Sequence, residues 1–182
     1  VMLTKSIHEL AELSGKIKKT NDEIEKMTKE FIDYYSKNIV KESTLKKGLI
    51  DFLSWSKKNN ISMGVCTNKQ EHLSIDLLKK IKIYHFFDYV AGGNTFNHNK
   101  PDPKHLIDTI DIIGGDIKRT LMIGDSETDS NASKAAKIPF ILIEDGYTEK
   151  KTNEIYHDHL VKNIIGLEKI IKKYLLLNLN FF

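Results

Sequence analysis

LMIGDSETD, residues 121–129, decides how the rest of the chain is read. Leu121, Met122 and Ile123 form a short apolar run that passes through Gly124 into Asp125, Ser126, Glu127, Thr128 and Asp129. An apolar run bounded by a glycine reads as a buried strand. Acids at the mouth of such a strand are costly unless something compensates them. Two readings of these acids stand side by side. Hard divalent cations take carboxylate oxygens, so the acids Asp125, Glu127 and Asp129 could serve one. Ser126 followed three residues on by Asp129 also fits a helix-capping box, which explains those two residues but not Asp125. A calcium-binding loop fails on spacing, because Ser130 stands where glycine is needed and Ala136 where glutamate is needed.

Working outward, helical and strand-like segments alternate. Residues 49–55 read as a helix, 61–67 as a short buried strand and 69–81 as a helix. Residues 86–93 read as a strand ending in glycines. Residues 103–113 read as a helix with Asp102 as N-cap and Pro103 at its first position. Residues 119–124 form the strand of the opening stretch, 127–136 the next helix, 139–144 a strand, and 164–177 a lysine-studded closing helix. Continuous apolar strands alternating with helices imply an α/β fold, a parallel sheet covered on both faces. Residues 1–43 differ: apolar positions recur at spacings of three and four, with a break at Thr20, Asn21 and Asp22, so this part reads as amphipathic helices.

In such sheets a ligand sits beyond the carboxyl ends of the strands. That rim carries Thr67 and Asn68, Gly92 and Gly93, Asp125 to Asp129, and Glu144 and Asp145, with Lys100 in a loop that can reach it. VCTNKQE, from Val65, fits a helix start capped by Asn68, and equally a phosphate cradle of hydroxyl, amide and helix N–H groups. Lys100 precedes a rigid Pro-Asp-Pro corner that could hold its ammonium at one place; taken alone, it reads as one more surface lysine.

Composition narrows the classes. The chain has 182 residues, 40% hydrophobic and 29% charged, which suits one domain or one domain with an appendage. No apolar run approaches the ~20 residues of a membrane span. The net charge of +3 comes from lysines interleaved with acids, and Arg119 is the only arginine, so no basic face marks a nucleic-acid or membrane partner. Cys66 is the only cysteine, which excludes an internal disulfide and fits a cytoplasmic protein. Cys66 itself reads as a small core residue. The seven histidines show no ligand spacing, and His157 to His159 reads as a solvated stretch. The oligomeric state is left open.

The order VCTNK, NKPDP, LMIGDSETD and ASKAAKIPFILI, with Gly48 ahead of the first core helix and Asp145–Gly146–Tyr147 near the end, resembles the haloacid dehalogenase-like hydrolases, most closely their phosphoglycolate phosphatase group. The resemblance covers about residue 46 to the C-terminus, and residues 1–43 look like part of that family's helical cap, leaving 44–182 as the core. It implies a Rossmann-like fold and a magnesium-dependent phosphatase of a small phosphorylated metabolite, 2-phosphoglycolate foremost. By resemblance, Thr67, Asn68 and Lys100 bind the phosphate, Lys100 also neutralises the nucleophile, Asp125 is a Mg2+ ligand, and Asp129 supports the metal directly or through water. Glu127 is expected to be a surface acid with no part in the metal site.

The family's nucleophile is an aspartate in a DxDGT stretch on a central strand, and the 182 residues contain no such stretch. An aspartyl-phosphate cannot form without that carboxylate. The expectation is therefore an N-terminally truncated core lacking its first strand. The strands ending at Thr67 and Gly124 would then stand about 9–10 Å apart, twice the ordinary spacing, unless they pair directly or another segment lies between them. A phosphomutase of the same superfamily and a non-catalytic, phosphate- or partner-binding relic are the alternatives. The expected outcome for residues 1–182 alone is low stability and no hydrolysis of phosphate esters; clear magnesium-dependent turnover by the purified chain overturns it.

Overall fold

The computed structural model describes residues 20, 22–23, 26–27, 29–30, 45–144 and 150–179. The chain divides into two compact units, Val1–Thr44 and Leu45–Phe182. In the first unit Thr20 begins a helical stretch. Its Oγ1 accepts from the Glu23 N–H at 3.4 Å and the Glu23 carboxylate accepts from the Thr20 N–H at 2.8 Å, the reciprocal pattern of a capping box. The cap reading of residues 1–43 otherwise lies outside the described residues, as do Asp145 to Tyr147.

The second unit runs α1 (Leu49–Lys58), β1 (Gly64–Cys66), α2 (Glu71–Lys80), β2 (Tyr89–Ala91), α3 (Pro103–Ile112), β3 (Met122–Gly124), α4 (Glu127–Ala136), β4 (Phe140–Ile143), β5 (His159–Val161) and α5 (Leu167–Leu179). Every strand pairing among the described residues is parallel. Val65 lies opposite Val90, Ile123 opposite Ile141, and Leu142 opposite Leu160. This is the α/β, Rossmann-like architecture expected from the alternation.

Strand side chains alternate between two helical layers, as a pleated backbone requires. On one side, Cys66 and Met122 pack against Leu106 and Ile110 of α3 and Ala132 and Ala136 of α4. On the other, Ile123 and Ile141 pack against Phe52 and Trp55 of α1 and Leu167 and Ile171 of α5. Phe140, Ile141 and Leu142 are wholly buried, so β4 is the apolar centre of its sheet. Among the described residues no helix is long and apolar enough to cross a membrane.

The sheet comes in two pieces. β1 pairs with β2, and β3 with β4 and β5, but among the described residues nothing joins β1 to β3. Direct pairing of those strands, one of the three arrangements open from sequence, does not occur. The pieces are bridged by helices instead: α3 and α4 form one cluster touching both Cys66 and Met122.

Five local expectations need correction. The stretch from His157 to His159 is not merely solvated, because His159 opens β5 and Asp158 accepts from the Phe140 N–H at 2.7 Å. This edge strand is short and exposes Leu160, so it lacks the apolar signature of a buried strand. The two strands expected over 86–93 and 119–124 shrink to three residues each, because Tyr84–Phe86 and Ile117–Arg119 form 3-10 turns. The strand expected over 61–67 likewise shortens to Gly64–Cys66. Helix α2 starts after Gln70, so Asn68 does not cap it. By contrast, Asp102 caps α3 through the Lys104 N–H with Pro103 at the first position, and Ser126 caps α4 through the Asp129 N–H.

Two substitutions test this core. Ile141→Ala should cost about 2–5 kcal/mol, and Ile112→Ala, on a half-exposed side chain, less than about 0.5 kcal/mol. Urea denaturation measures both, and equal losses contradict the assignment of Ile141 to the core.

Candidate functional site

Lys100 sits at the carboxyl ends of β1 and β3. The loop from Gly92 that delivers it is stitched to the start of α2. Gly92 N–H donates to Thr95 Oγ1 at 2.8 Å, the Thr95 hydroxyl donates to the Glu71 carboxylate, Asn94 Oδ1 accepts from the Glu71 N–H at 2.8 Å, and Gly93 N–H donates to the Lys69 carbonyl at 2.8 Å. Asn94 thereby supplies the N-terminal cap that Asn68 does not. The approach is too close for a side chain: a Cβ on Gly92 would lie 2.2 Å from the Glu71 nitrogen, and one on Gly93 2.4 Å from the Asn68 carbonyl oxygen. The peptide bond from Lys100 to Pro101 is cis.

Lys100 is held at both ends. Its main-chain N–H donates to His105 Nδ1 at 3.2 Å and its carbonyl accepts from Asn68 Nδ2 at 2.7 Å. Its ammonium donates to the Cys66 carbonyl at 2.5 Å and to Asp129 Oδ1 at 2.5 Å. Lys100 is 7% exposed, so the surface reading of this lysine is wrong. A buried ammonium needs a counter-charge and full hydrogen bonding, and Asp129, itself 6% exposed, supplies the charge.

Asp129 is fully engaged. Oδ2 accepts from the Ser126 hydroxyl at 2.8 Å and from the Asp125 N–H at 3.3 Å, while Oδ1 takes Lys100. Gly124 makes room for this carboxylate, since a Cβ there would lie 2.6 Å from Asp129 Oδ2. Asp125 stands at the end of β3, partly exposed. Glu127 points away and pairs with Lys150 at 2.6 Å on the surface, a contact of small energetic weight.

At the same rim, Thr67 follows β1, and its N–H donates to the Ala91 carbonyl at 2.9 Å. Its Oγ1 accepts from the Lys69 N–H at 3.2 Å, which leaves the hydroxyl hydrogen to donate. The structure thus brings Thr67, Asn68, Lys100 and Asp129 together, with Asp125 one turn of chain away. The Cys66 thiol is pushed up to about 11, by burial first and against the pull of Lys100, so it stays neutral. Among the described residues no group of three His, Cys, Asp or Glu side chains converges as a metal cage.

Sequence reasoning missed His105. It is wholly buried on the packed face of α3 beside Leu106, Thr109 and Ile110. Its ring lies edge-on to Phe96 at 5.6 Å, and Phe96 stacks on His98, which bonds Asp108 at 2.7 Å. The available signal was position: a histidine on the apolar face of an amphipathic helix, five residues after a rim lysine.

The ion pair can be tested by a double-mutant cycle. Lys100→Ala should cost about 3–5 kcal/mol, because it leaves a buried carboxylate unpaired. K100M combined with D129L should lose less than the sum of the single losses. Strict additivity in urea denaturation means that the two charges are not coupled.

Residues 4–143 match the haloacid dehalogenase-like hydrolase family model. A phosphoglycolate phosphatase of Mesorhizobium japonicum is 39% identical over 145 residues, and one of Agrobacterium fabrum 33% identical over 156. These alignments cover 80% and 83% of this chain, which spans only 64% and 67% of those relatives' lengths. A crystal structure of a predicted phosphoglycolate phosphatase from Haemophilus somnus 129PT superposes with a TM-score of 0.86 at 24% identity, covering 92% of this chain and 75% of that one. The fold, the order of the motifs and the family match agree: the chain belongs to the haloacid dehalogenase-like hydrolases.

Proposed function

We propose that this chain is the core of a cytoplasmic, magnesium-dependent phosphatase that hydrolyses a small phosphorylated metabolite, 2-phosphoglycolate foremost, through an aspartyl-phosphate. The observation that carries the reading is the buried Lys100 ammonium, clamped between the Cys66 carbonyl and Asp129 where β1 and β3 end. Similarity to phosphoglycolate phosphatases supports the substrate.

Phosphoryl transfer asks a protein mainly for positioning and for stabilisation of charge on the equatorial oxygens. Thr67 donates its hydroxyl to the phosphate. Asn68 contributes its main-chain N–H, since its side-chain amide is committed to the Lys100 carbonyl. Lys100 balances the negative charge of the phosphate and of the nucleophile. The carboxylate that attacks phosphorus lies outside these 182 residues, on a strand seated between β1 and β3. The split sheet, with no described pairing across those edges, supports that seat. Residues 1–43 form part of the cap that selects the substrate.

Magnesium is bound through one or two carboxylates with waters completing its shell. Asp125 at the mouth of β3, with Asp129 behind it, suits that modest donor set, although three protein groups do not converge here among the described residues. When bound, the ion neutralises charge on the transferring phosphoryl group.

The test is turnover by the protein expressed with any coding sequence upstream of Val1, comparing 2-phosphoglycolate, sugar phosphates and pyrophosphate with and without Mg2+. The expected result is preference for 2-phosphoglycolate, abolished by Asp125→Ala. Equal poor turnover of all substrates defeats the substrate assignment, and full activity of D125A defeats the metal assignment. A relic would bind phosphate and turn over none of them.

A further inference from the structure

We propose that His105 is a positioning residue for Lys100: its Nδ1 accepts the Lys100 main-chain N–H and so fixes where the ammonium points. Only the neutral ring with its proton on Nε2 can accept at Nδ1.

The contact closes a clamp around one residue. His105 holds the N–H of Lys100 at 3.2 Å and Asn68 holds its carbonyl at 2.7 Å, so the backbone is gripped on both sides of the Cα. The ammonium is then gripped separately by Cys66 and Asp129. A lysine side chain has four rotatable bonds and reaches a fixed point only if its root is fixed. His105 can serve as an anchor because it is itself immobile. It is wholly buried, it lies in the first turn of α3, and Phe96 walls its ring.

Packing alone does not account for an imidazole here. Nε2 is buried without a partner of hydrogen-bonding geometry, and burying such a group is unfavourable. A leucine or phenylalanine would fill the same apolar face without that cost. The bond of good geometry that the ring gains is the one from the Lys100 N–H, with the Gly92 carbonyl a weaker polar neighbour. The ring's surroundings keep it in the required form: burial first, then Lys100 and His98, lower its pKa, opposed by the Gly92 carbonyl and Asp108.

The contact itself is read by nitrogen NMR of 15N-histidine-labelled protein, prepared as for the turnover assays. His105 should show an unprotonated Nδ1 and a protonated Nε2 at pH 7; a proton on Nδ1 overturns the proposal. Its consequence rests on the reading of Lys100 as a phosphate-binding group and is measured by binding of inorganic phosphate. His105→Phe keeps the ring volume and loses the acceptor, and should weaken binding about tenfold. His105→Asn keeps an acceptor near Nδ1 and should stay within about twofold of the parent. In a Lys100→Ala background His105→Phe should have no further effect. An H105N as weak as H105F, or an undiminished H105F effect without Lys100, overturns the proposal. If Lys100→Ala leaves phosphate binding unchanged, the phosphate reading fails, and the tautomer measurement still decides the contact.

Discussion

One ammonium organises this protein. Lys100 reaches from a loop into the seam between β1 and β3, touching a main-chain carbonyl on one side and a carboxylate on the other. The two sheet pieces share no ladder among the described residues, so this polar bridge and the helices behind it are what link their carboxyl ends. Much else follows from accommodating it. Gly124 lacks a side chain because Asp129 lies against it, and Gly92 and Gly93 lack one because the loop carrying Lys100 must lie flat on the start of α2.

The bridge is a poor source of stability and a good source of geometry. Desolvating two charges offsets much of their attraction, and apolar replacements of matched volume are often no less stable. Here the ammonium makes two hydrogen bonds and the carboxylate accepts three, which makes burial tolerable and confines the pair to one arrangement. Ser126 illustrates the economy of the design: its hydroxyl accepts the Asp129 N–H to start α4 and donates to the Asp129 carboxylate. A capping motif and a site motif are thus the same atoms, and the two sequence readings of the stretch describe two halves of one structure.

Much of this was legible in the chain. Alternation of apolar runs with amphipathic segments announced the α/β architecture, and proline and serine signals marked the starts of α3 and α4. The rim residues Thr67, Asn68, Lys100 and Asp129 were named from their places after strands. What stayed hidden depends on contacts distant in sequence. The burial of Lys100 is invisible in a chain rich in lysine, because only the fold tells one ammonium from another. Asn68 looked like a helix cap because its spacing to Glu71 was right, yet Asn94, 23 residues beyond Glu71, makes that bond. Strand β5 escaped because an edge strand has no need of a continuous apolar face.

That borrowed cap has a consequence for anyone altering the protein. The turn after β1 and the loop after β2 are not separable modules, since the second completes the helix that the first begins, through Asn94 and Thr95 on Glu71. Replacing either segment alone with one from a relative would leave donors and acceptors without their counterparts. Exchange of the rim between relatives therefore has to move both segments as a single unit, with the two glycines that let them touch.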